Sequence, residues 1–572
     1  MDQNVRAIKT YLEMSFLSTY AKHAQYDSST VRRGCLQGTR VDVLDDAYKW
    51  ITKSSAEAAK AVAANVTAAM EKEATNTAGA PGVAPDESKP DAQSAGHFLW
   101  ISGLAGTGKT TMAYSLTEKC VQDDILGANY FCSRSDAECS DPNNIFVTIV
   151  RQLCQHYAPY TDKVAATLAK NPDIATAGPL RQFQTLILEP LRELKGVFPV
   201  SVIIIDALDE CRDGGVTSTI LSILARHIQE LAPFLFIVTS RPEPHITAIF
   251  ERAHAESLKN STKSLVLHNV HLGSVLDDIR LYLADGFGEI RKAFFIGDEW
   301  PSNQDLNKLA ELSQGLFIFA TTVLRFIRDA DYSDPRTQLQ ALLTASVSIM
   351  HDLYREVLKL AYNNVDTLHK TNPRLRQVLG AITLAEEPLS AAALGCLLGI
   401  EEDDIRNTLA RLRSVLHVPE GSDEAVRFIH PTFPEFLLDP SVVKPEAFHI
   451  IPVEHHLTLF TRSLMAMEGL KRNIAGIEKP ASFGSEIRGL SDIVKKYIPA
   501  HLVYASRFWS VHLSRCGSDA LGQDICDLLN GFLTRQMLYW LEACSLLRVL
   551  DGALAALETA GRALQVSCVQ LY

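Results

Sequence analysis

Gly103-Leu104-Ala105-Gly106-Thr107-Gly108-Lys109-Thr110 is the stretch that decides the fold. The octet fits G-x-x-x-x-G-K-[ST]. In that pattern glycines let successive backbone N–H groups converge on phosphate oxygens, and the following helix offers the positive end of its dipole. Lys109 then reaches the β and γ phosphates, and the Thr110 hydroxyl, with Thr111 beside it, faces Mg²⁺. At ordinary residue frequencies, with Gly at about 7%, the pattern turns up by chance in about a few per cent of chains this long, so it needs a second motif beside it.

That second motif lies about a hundred residues on, a plausible distance from the glycine loop. Val202 to Ile205 is nearly all β-branched, as a strand covered on both faces of a parallel sheet should be, and it ends in Asp206-Ala207-Leu208-Asp209-Glu210. A carboxylate at Asp206 can hold Mg²⁺ through water at the mouth of the sheet. Either Asp209 or Glu210, Glu210 by preference, can orient an attacking water, because phosphoryl transfer needs positioning and charge stabilisation more than covalent chemistry. The plain alternative is a strand that merely ends in a polar turn. Arg241, in Thr239-Ser240-Arg241-Pro242, ends another apolar run, Phe234 to Thr239, where a guanidinium can meet the γ phosphate. Taken alone, an Arg there reads equally well as a solvated charge.

Working outward, Phe98 to Ser102 leads into the glycine loop, a helix continues through Leu116, and Ala128 to Cys132 reads as a further strand. Phe146, Ile149, Val150 and Leu153 mark a helix face. The expected fold is α/β: a parallel sheet with helices on both faces and nucleotide beyond the carboxyl ends of the strands. Upstream, Val41, Leu44, Ala47, Tyr48 and Ile51 keep helical spacing behind Gly38-Thr39, and residues 54–73 are rich in Ala, Glu and Lys. The stretch up to Gly96 collects Gly, Pro, Ala and acids with no apolar period, as a solvated linker does.

After about residue 270 helices dominate. Ile405, Leu409, Leu412 and Leu416 form a stripe, and the short apolar runs Val415 to Val418 and Val426 to Ile429 flank a turn-forming segment. Phe433, Phe436 and Leu437 follow on a helix, so the order reads helix, hairpin, helix, as in a winged helix. Trp509, Leu513, Trp540, Leu541 and Leu547 are the expected core of a C-terminal helical region. Gly315 to Ala320 reads as a packed helix face. His430, an isolated His beside an apolar strand, reads first as a structural residue.

Bulk properties set limits. With 572 residues, 47% of them hydrophobic, the chain can build more than one core. A formal charge of −12, with Lys and Arg dispersed, disfavours nucleic acid as partner. The 11 Cys include no C-x-x-C pair and read as free thiols in a reducing compartment. No run approaches the ~18 apolar residues of a membrane span and the N-terminus lacks a signal-peptide pattern, so a cytoplasmic protein without a membrane segment is expected.

Five segments in order resemble the NACHT nucleotide-binding domain of fungal signal-transducing (STAND) P-loop NTPases, the group of heterokaryon-incompatibility proteins, and are similar to nephrocystin-type NACHT modules. They are LWISGLAGTGKTT (99–111), LGANYFCSR (126–134), QFQTLILEPL (182–191), VIIIDALDEC (202–211) and FIVTSRPEPHI (236–246). The likeness extends to CLQGTRVDVLDDAYKW (35–50) upstream and to segments 312–327, 412–440 and 504–513 downstream. Phe317 stands where relatives often carry a Pro, and many relatives continue into a repeat sensor beyond the point where this sequence stops.

The resemblance implies that Gly103 to Thr111 bind nucleotide, that Thr110 and Asp206 hold Mg²⁺, and that Asp209, Glu210 and Arg241 serve hydrolysis, with Arg241 sensing the γ phosphate. It also gives His430 a contact to the β phosphate. The implied organisation is an N-terminal helical segment (1–52), a low-complexity linker (53–96), the NACHT P-loop NTPase domain (97–270), a helical domain (271–348), a winged-helix-like domain (349–440) and a C-terminal helical region (441–572). The expected cofactors are ATP or GTP with Mg²⁺. The expected function is a switch with slow Mg-dependent hydrolysis, self-association in the triphosphate state and protein partners, acting in fungal non-self recognition or cell-death signalling. A turnover NTPase that drives remodelling, and a nucleotide-stabilised scaffold, are the competing readings.

Overall fold

The computed structural model describes residues 20–28, 33–77, 97–134, 136–194, 198–227, 230–251, 262–329, 334–344, 350–362, 373–419, 421, 423–440, 448–477, 489–516 and 522–570. The chain divides into two compact units, one of Met1–Glu289 with Asp298–Ala320, the other of Ile290–Gly297 with Thr321–Tyr572.

The first unit is built on a parallel five-stranded sheet: β1 (Phe98–Ser102), β2 (Leu126–Phe131), β3 (Ser201–Asp206), β4 (Phe234–Ser240) and β5 (Thr262–Val266). Their spatial order is β2-β3-β4-β1-β5. Ser102 pairs with Ser240 and with Val266, while Phe131 pairs with Asp206, so the loops that matter leave the sheet at one end. β1, β3 and β4 are buried throughout, which explains their continuous apolar sequence. Alternate residues still serve opposite faces. Leu99, Ile101, Val202, Ile204, Leu235 and Ile237 pack with Met112 and Leu116 of helix α2 (Lys109–Gln122). Phe98, Trp100, Ile203, Ile205, Phe234 and Phe236 pack on the other side with Phe146, Ile149 and Val150 of α3 (Asn144–His156). Each such fully buried side chain stabilises the fold by about 1.5–3 kcal/mol. β5, a half-exposed edge strand, gave no distinct apolar signal.

Helix α1 runs Val41–Thr77, well into the stretch read as linker. Ala47 and Ile51 dock it on the α2 side of the sheet. Beyond them Ala, Glu and Lys are strong helix formers and need no apolar period to continue the helix. The Gly- and Pro-rich residues 78–96 and the first part of the N-terminal segment, 1–19, lie outside the described residues. Two further helices matter for the site, α4 (Leu272–Phe294) and α5 (Phe317–Arg328).

In the second unit a helix (Glu402–Leu409), a two-residue antiparallel hairpin (Leu416–His417 with Arg427–Phe428) and a helix (Thr432–Leu438) follow in the order expected. Ile405, Leu409, Leu412 and Leu416 are all buried. The C-terminal helices gather round Trp509, Phe532 and Trp540. The Trp540 indole N–H donates to the Ser506 carbonyl at 2.9 Å, so this core also satisfies its polar atom. Leu541 and Leu547 are only half-buried at its edge. Among the described residues no helix is long and apolar enough to cross a membrane.

Candidate functional site

β1 delivers the glycine loop, and the loop is anchored at once: the Gly103 N–H donates to the Ser240 carbonyl of β4 at 3.2 Å. Gly106 and Gly108 have φ of +77° and +90°, a left-handed backbone that glycine adopts without the penalty a side chain would bring. The Thr107 hydroxyl closes the loop on the Leu104 carbonyl at 2.8 Å. Lys109 opens α2 and folds back across the loop, its ammonium donating to the carbonyls of Gly103 at 2.8 Å and Leu104 at 3.0 Å. Burial lowers its pKa, opposed by the nearby Asp209 and Asp206 charges. Thr110 is exposed and Thr111 half-buried on the same first turn, and Leu104 and Ala105 form the outer side of the loop.

On the other side of β4, Asp206 ends β3 almost fully buried. Its Oδ1 accepts from the Thr239 hydroxyl at 2.5 Å, and the Thr239 oxygen in turn accepts from the Ala207 N–H at 2.9 Å. Ala207 then turns the chain with φ of +52°, raising the two remaining acids. Asp209 engages Arg241: Oδ1 accepts from the Arg241 backbone N–H at 2.9 Å and Oδ2 lies 3.3 Å from its Nε. Glu210 turns instead towards the end of β2, where Oε2 accepts from the Arg134 N–H at 3.1 Å. Removal of its carboxyl from water, reinforced by Asp209 and Asp206, outweighs the Arg134 contact and pushes its pKa up to about 7.

Thus Lys109, Asp206, Asp209, Glu210 and Arg241 converge at the carboxyl end of the sheet, where hydrogen bonds tie the glycine loop, Asp206 and Asp209 to β4 or the residue after it and Glu210 to the end of β2. The glycine cradle suits a polyphosphate, and the Thr110 hydroxyl and Asp206 carboxylate are the hard oxygen donors that Mg²⁺ takes alongside phosphate oxygens. His430 belongs to the second unit. There its Nδ1 accepts from the Thr432 N–H at 3.3 Å and lies 2.8 Å from the Thr432 hydroxyl oxygen.

Two contacts escaped the sequence reading. Arg40 is buried with its Nη2 donating to the Thr107 carbonyl of the loop at 2.9 Å, its guanidinium 5.0 Å from the centre of the Phe317 ring, and its backbone N–H on Asp278 of α4 at 3.1 Å. The Ile318 N–H, at the start of α5, donates to the Gly106 carbonyl at 3.2 Å. The turn Gly38-Thr39-Arg40 carried a signal for the first. The second had none, because a backbone bond leaves no mark in residue type.

Comparison with known proteins fits this geometry. Residues 87–241 match the family Nephrocystin 3, N-terminal. The chain is also similar to the vegetative incompatibility protein HET-E-1 of Podospora anserina, 24% identical over 507 residues that cover 81% of this chain and 34% of that protein, so it spans about a third of the relative's length. Among solved structures it is similar to the Walker-type ATPase PABY2304 of Pyrococcus abyssi (11% identity, 59% of this chain, 90% of that one, TM-score 0.29) and to Cdc6p of Pyrobaculum aerophilum (9%, 59%, 85%, 0.27). Overlaps this loose carry no further argument. Residues 87–241 thus match the nephrocystin 3 N-terminal family, and the chain is similar over most of its length to a vegetative incompatibility protein.

Proposed function

We propose that the chain is a nucleotide-operated switch, binding ATP or GTP with Mg²⁺ and hydrolysing it slowly. Lys109 serves the β and γ phosphates and Thr110 and Asp206 hold the metal, which when bound supplies charge neutralisation for the transferring phosphoryl group. Glu210 orients the attacking water. Asp209 fixes Arg241, whose guanidinium serves as γ-phosphate sensor, and His430 supplies the contact to the β phosphate in the diphosphate form.

The observation that carries a switch rather than a plain hydrolase is the Ile318–Gly106 hydrogen bond. It seats the first turn of α5, a helix that runs to Arg328, on the phosphate loop. A change of loop conformation on nucleotide binding or hydrolysis therefore acts on the start of that helix. The likeness to a vegetative incompatibility protein supports a setting in fungal non-self recognition. Self-association in the triphosphate form is the output of the proposed switch.

The test is to identify the nucleotide that co-purifies with the chain and to measure molar mass in the diphosphate and triphosphate forms. Retained diphosphate on a monomer and a larger assembly with a non-hydrolysable triphosphate are expected. A protein with no affinity for either overturns the reading.

A further inference from the structure

Beside the acidic turn stand two cysteines that no step above uses. The Cys211 thiol donates to the Cys132 sulfur across 3.6 Å. Cys132 directly follows β2 and is buried, while Cys211 directly follows Glu210 and is half-buried, so one sulfur is sheltered and the other reachable from solvent. Their apposition is held by the backbone. The Cys132 N–H donates to the Asp206 carbonyl at 3.0 Å, and the Arg212 N–H to the Ser140 carbonyl at 2.8 Å. Arg212 Nη2 adds a bond to the Ala137 carbonyl at 2.8 Å. The segment after β2 and the acidic turn are thus stitched together on both sides of the sulfurs. A disulfide needs about 2.0 Å between sulfurs, roughly 1.5 Å less than the present gap.

We propose that Cys132 and Cys211 are a reversible redox modification site, oxidised by a peroxide to a disulfide that pins the Glu210 turn to the end of β2. In the first step the Cys211 sulfur attacks peroxide. The S–O bond forms, the O–O bond breaks, and the leaving oxygen departs as water with the thiol proton. In the second the Cys132 sulfur attacks the Cys211 sulfenic acid. The S–S bond forms, the S–O bond breaks, and the Cys132 proton leaves on the departing hydroxide as a second water. Two thiols are oxidised and one hydrogen peroxide is reduced. The order follows from access.

The consequence falls on Glu210, because closing the sulfurs draws the residue bonded to it towards β2. A displacement of about 1 Å in a positioning group can cost up to ~100-fold in rate, so turnover should fall at least ~tenfold. The modification stands on the thiol geometry alone, whereas its effect on turnover rests on the role proposed above for Glu210.

The experiment treats the reduced full-length chain with a few equivalents of hydrogen peroxide, blocks remaining thiols with N-ethylmaleimide and maps peptides without reduction, measuring nucleotide turnover in parallel. A Cys132–Cys211 linked peptide is expected, with turnover lowered at least ~tenfold and restored by dithiothreitol. Cys211→Ser, or Cys211→Ala should the serine form fail to fold, should yield no linked peptide and a turnover indifferent to peroxide. Full alkylation of both cysteines after peroxide, or linkage of either one to Cys139 instead, overturns the site. Linkage with unchanged turnover overturns the coupling to Glu210. A linked protein that shows no turnover even when reduced supports the thiol site and counts against the hydrolytic reading.

Discussion

A β-carbon on Gly106 would fall 2.1 Å from Cγ2 of Ile318, while the Ile318 N–H donates to the Gly106 carbonyl at 3.2 Å. The phosphate loop and the start of α5 are therefore in contact through backbone, with no room for a side chain between them. Gly106→Ala combines a left-handed φ with a collision, and the expected destabilisation is about 2–4 kcal/mol. Ile318→Ala in the same chain removes the closest contact but leaves its own β-carbon at 2.9 Å and the backbone strain, so the double variant should recover part of the loss. Thermal or urea unfolding of the four proteins checks this, and strict additivity would count against the contact.

Lys109→Ala should abolish nucleotide retention, weakening affinity by about 100-fold or more, because it removes the buried charge at the cradle and two hydrogen bonds that order the loop. Nucleotide released on denaturation, quantified by chromatography, measures the effect. Unchanged occupancy would remove Lys109 from the site.

Glu210 makes the site sensitive to pH. Its folded pKa, about 7, lies above the ordinary value of 4.5, so the fold favours the protonated acid. Its stability contribution is fully present below about pH 4.5 and is lost as pH rises through 7. Turnover runs the other way, rising through pH 7 as the carboxylate that orients water forms. Glu210→Gln should flatten both profiles and slow hydrolysis by about 100-fold or more while sparing binding. Melting curves without nucleotide and single-turnover rates from pH 5 to 9 separate the two effects.

Arg40→Lys tests the upstream clamp. A lysine lacks the planar guanidinium that both donates to the Thr107 carbonyl and sits over the Phe317 ring, so the change should cost about 1–3 kcal/mol and weaken nucleotide retention several-fold. Unfolding with and without added nucleotide distinguishes loss of stability from loss of binding.

The sheet and its acids were legible because their chemistry is local. A glycine octet, a β-branched run and the acid after it each carry their own reason for being where they are. Asp206, Lys109 and Arg241 could be placed at one end of the sheet from strand direction alone. Their pairing could not. That Asp209 takes Arg241 while Glu210 turns to Arg134 depends on Ala207 adopting a left-handed φ, which alanine does not announce. The continuation of α1 to Thr77 was missed because an Ala-, Glu- and Lys-rich stretch is helical by propensity and needs no buried face. β5 was missed because an edge strand of Thr, Lys and Ser followed by two half-exposed apolar residues has no burial pattern to betray it.

The order of strands also bears on how the domain comes into being. β1 takes both of its partners, β4 and β5, from far along the chain, and β2, the next strand to be made, is not one of them. During synthesis the segment Phe98–Ser102 leaves the ribosome with two bare edges and keeps them until Phe234–Val266 has followed. Until then its five apolar or small residues are an open invitation to a wrong neighbour, and contacts this distant in sequence are slow to form. A chain cut short before β4 would carry the whole glycine motif and have no sheet to hold it.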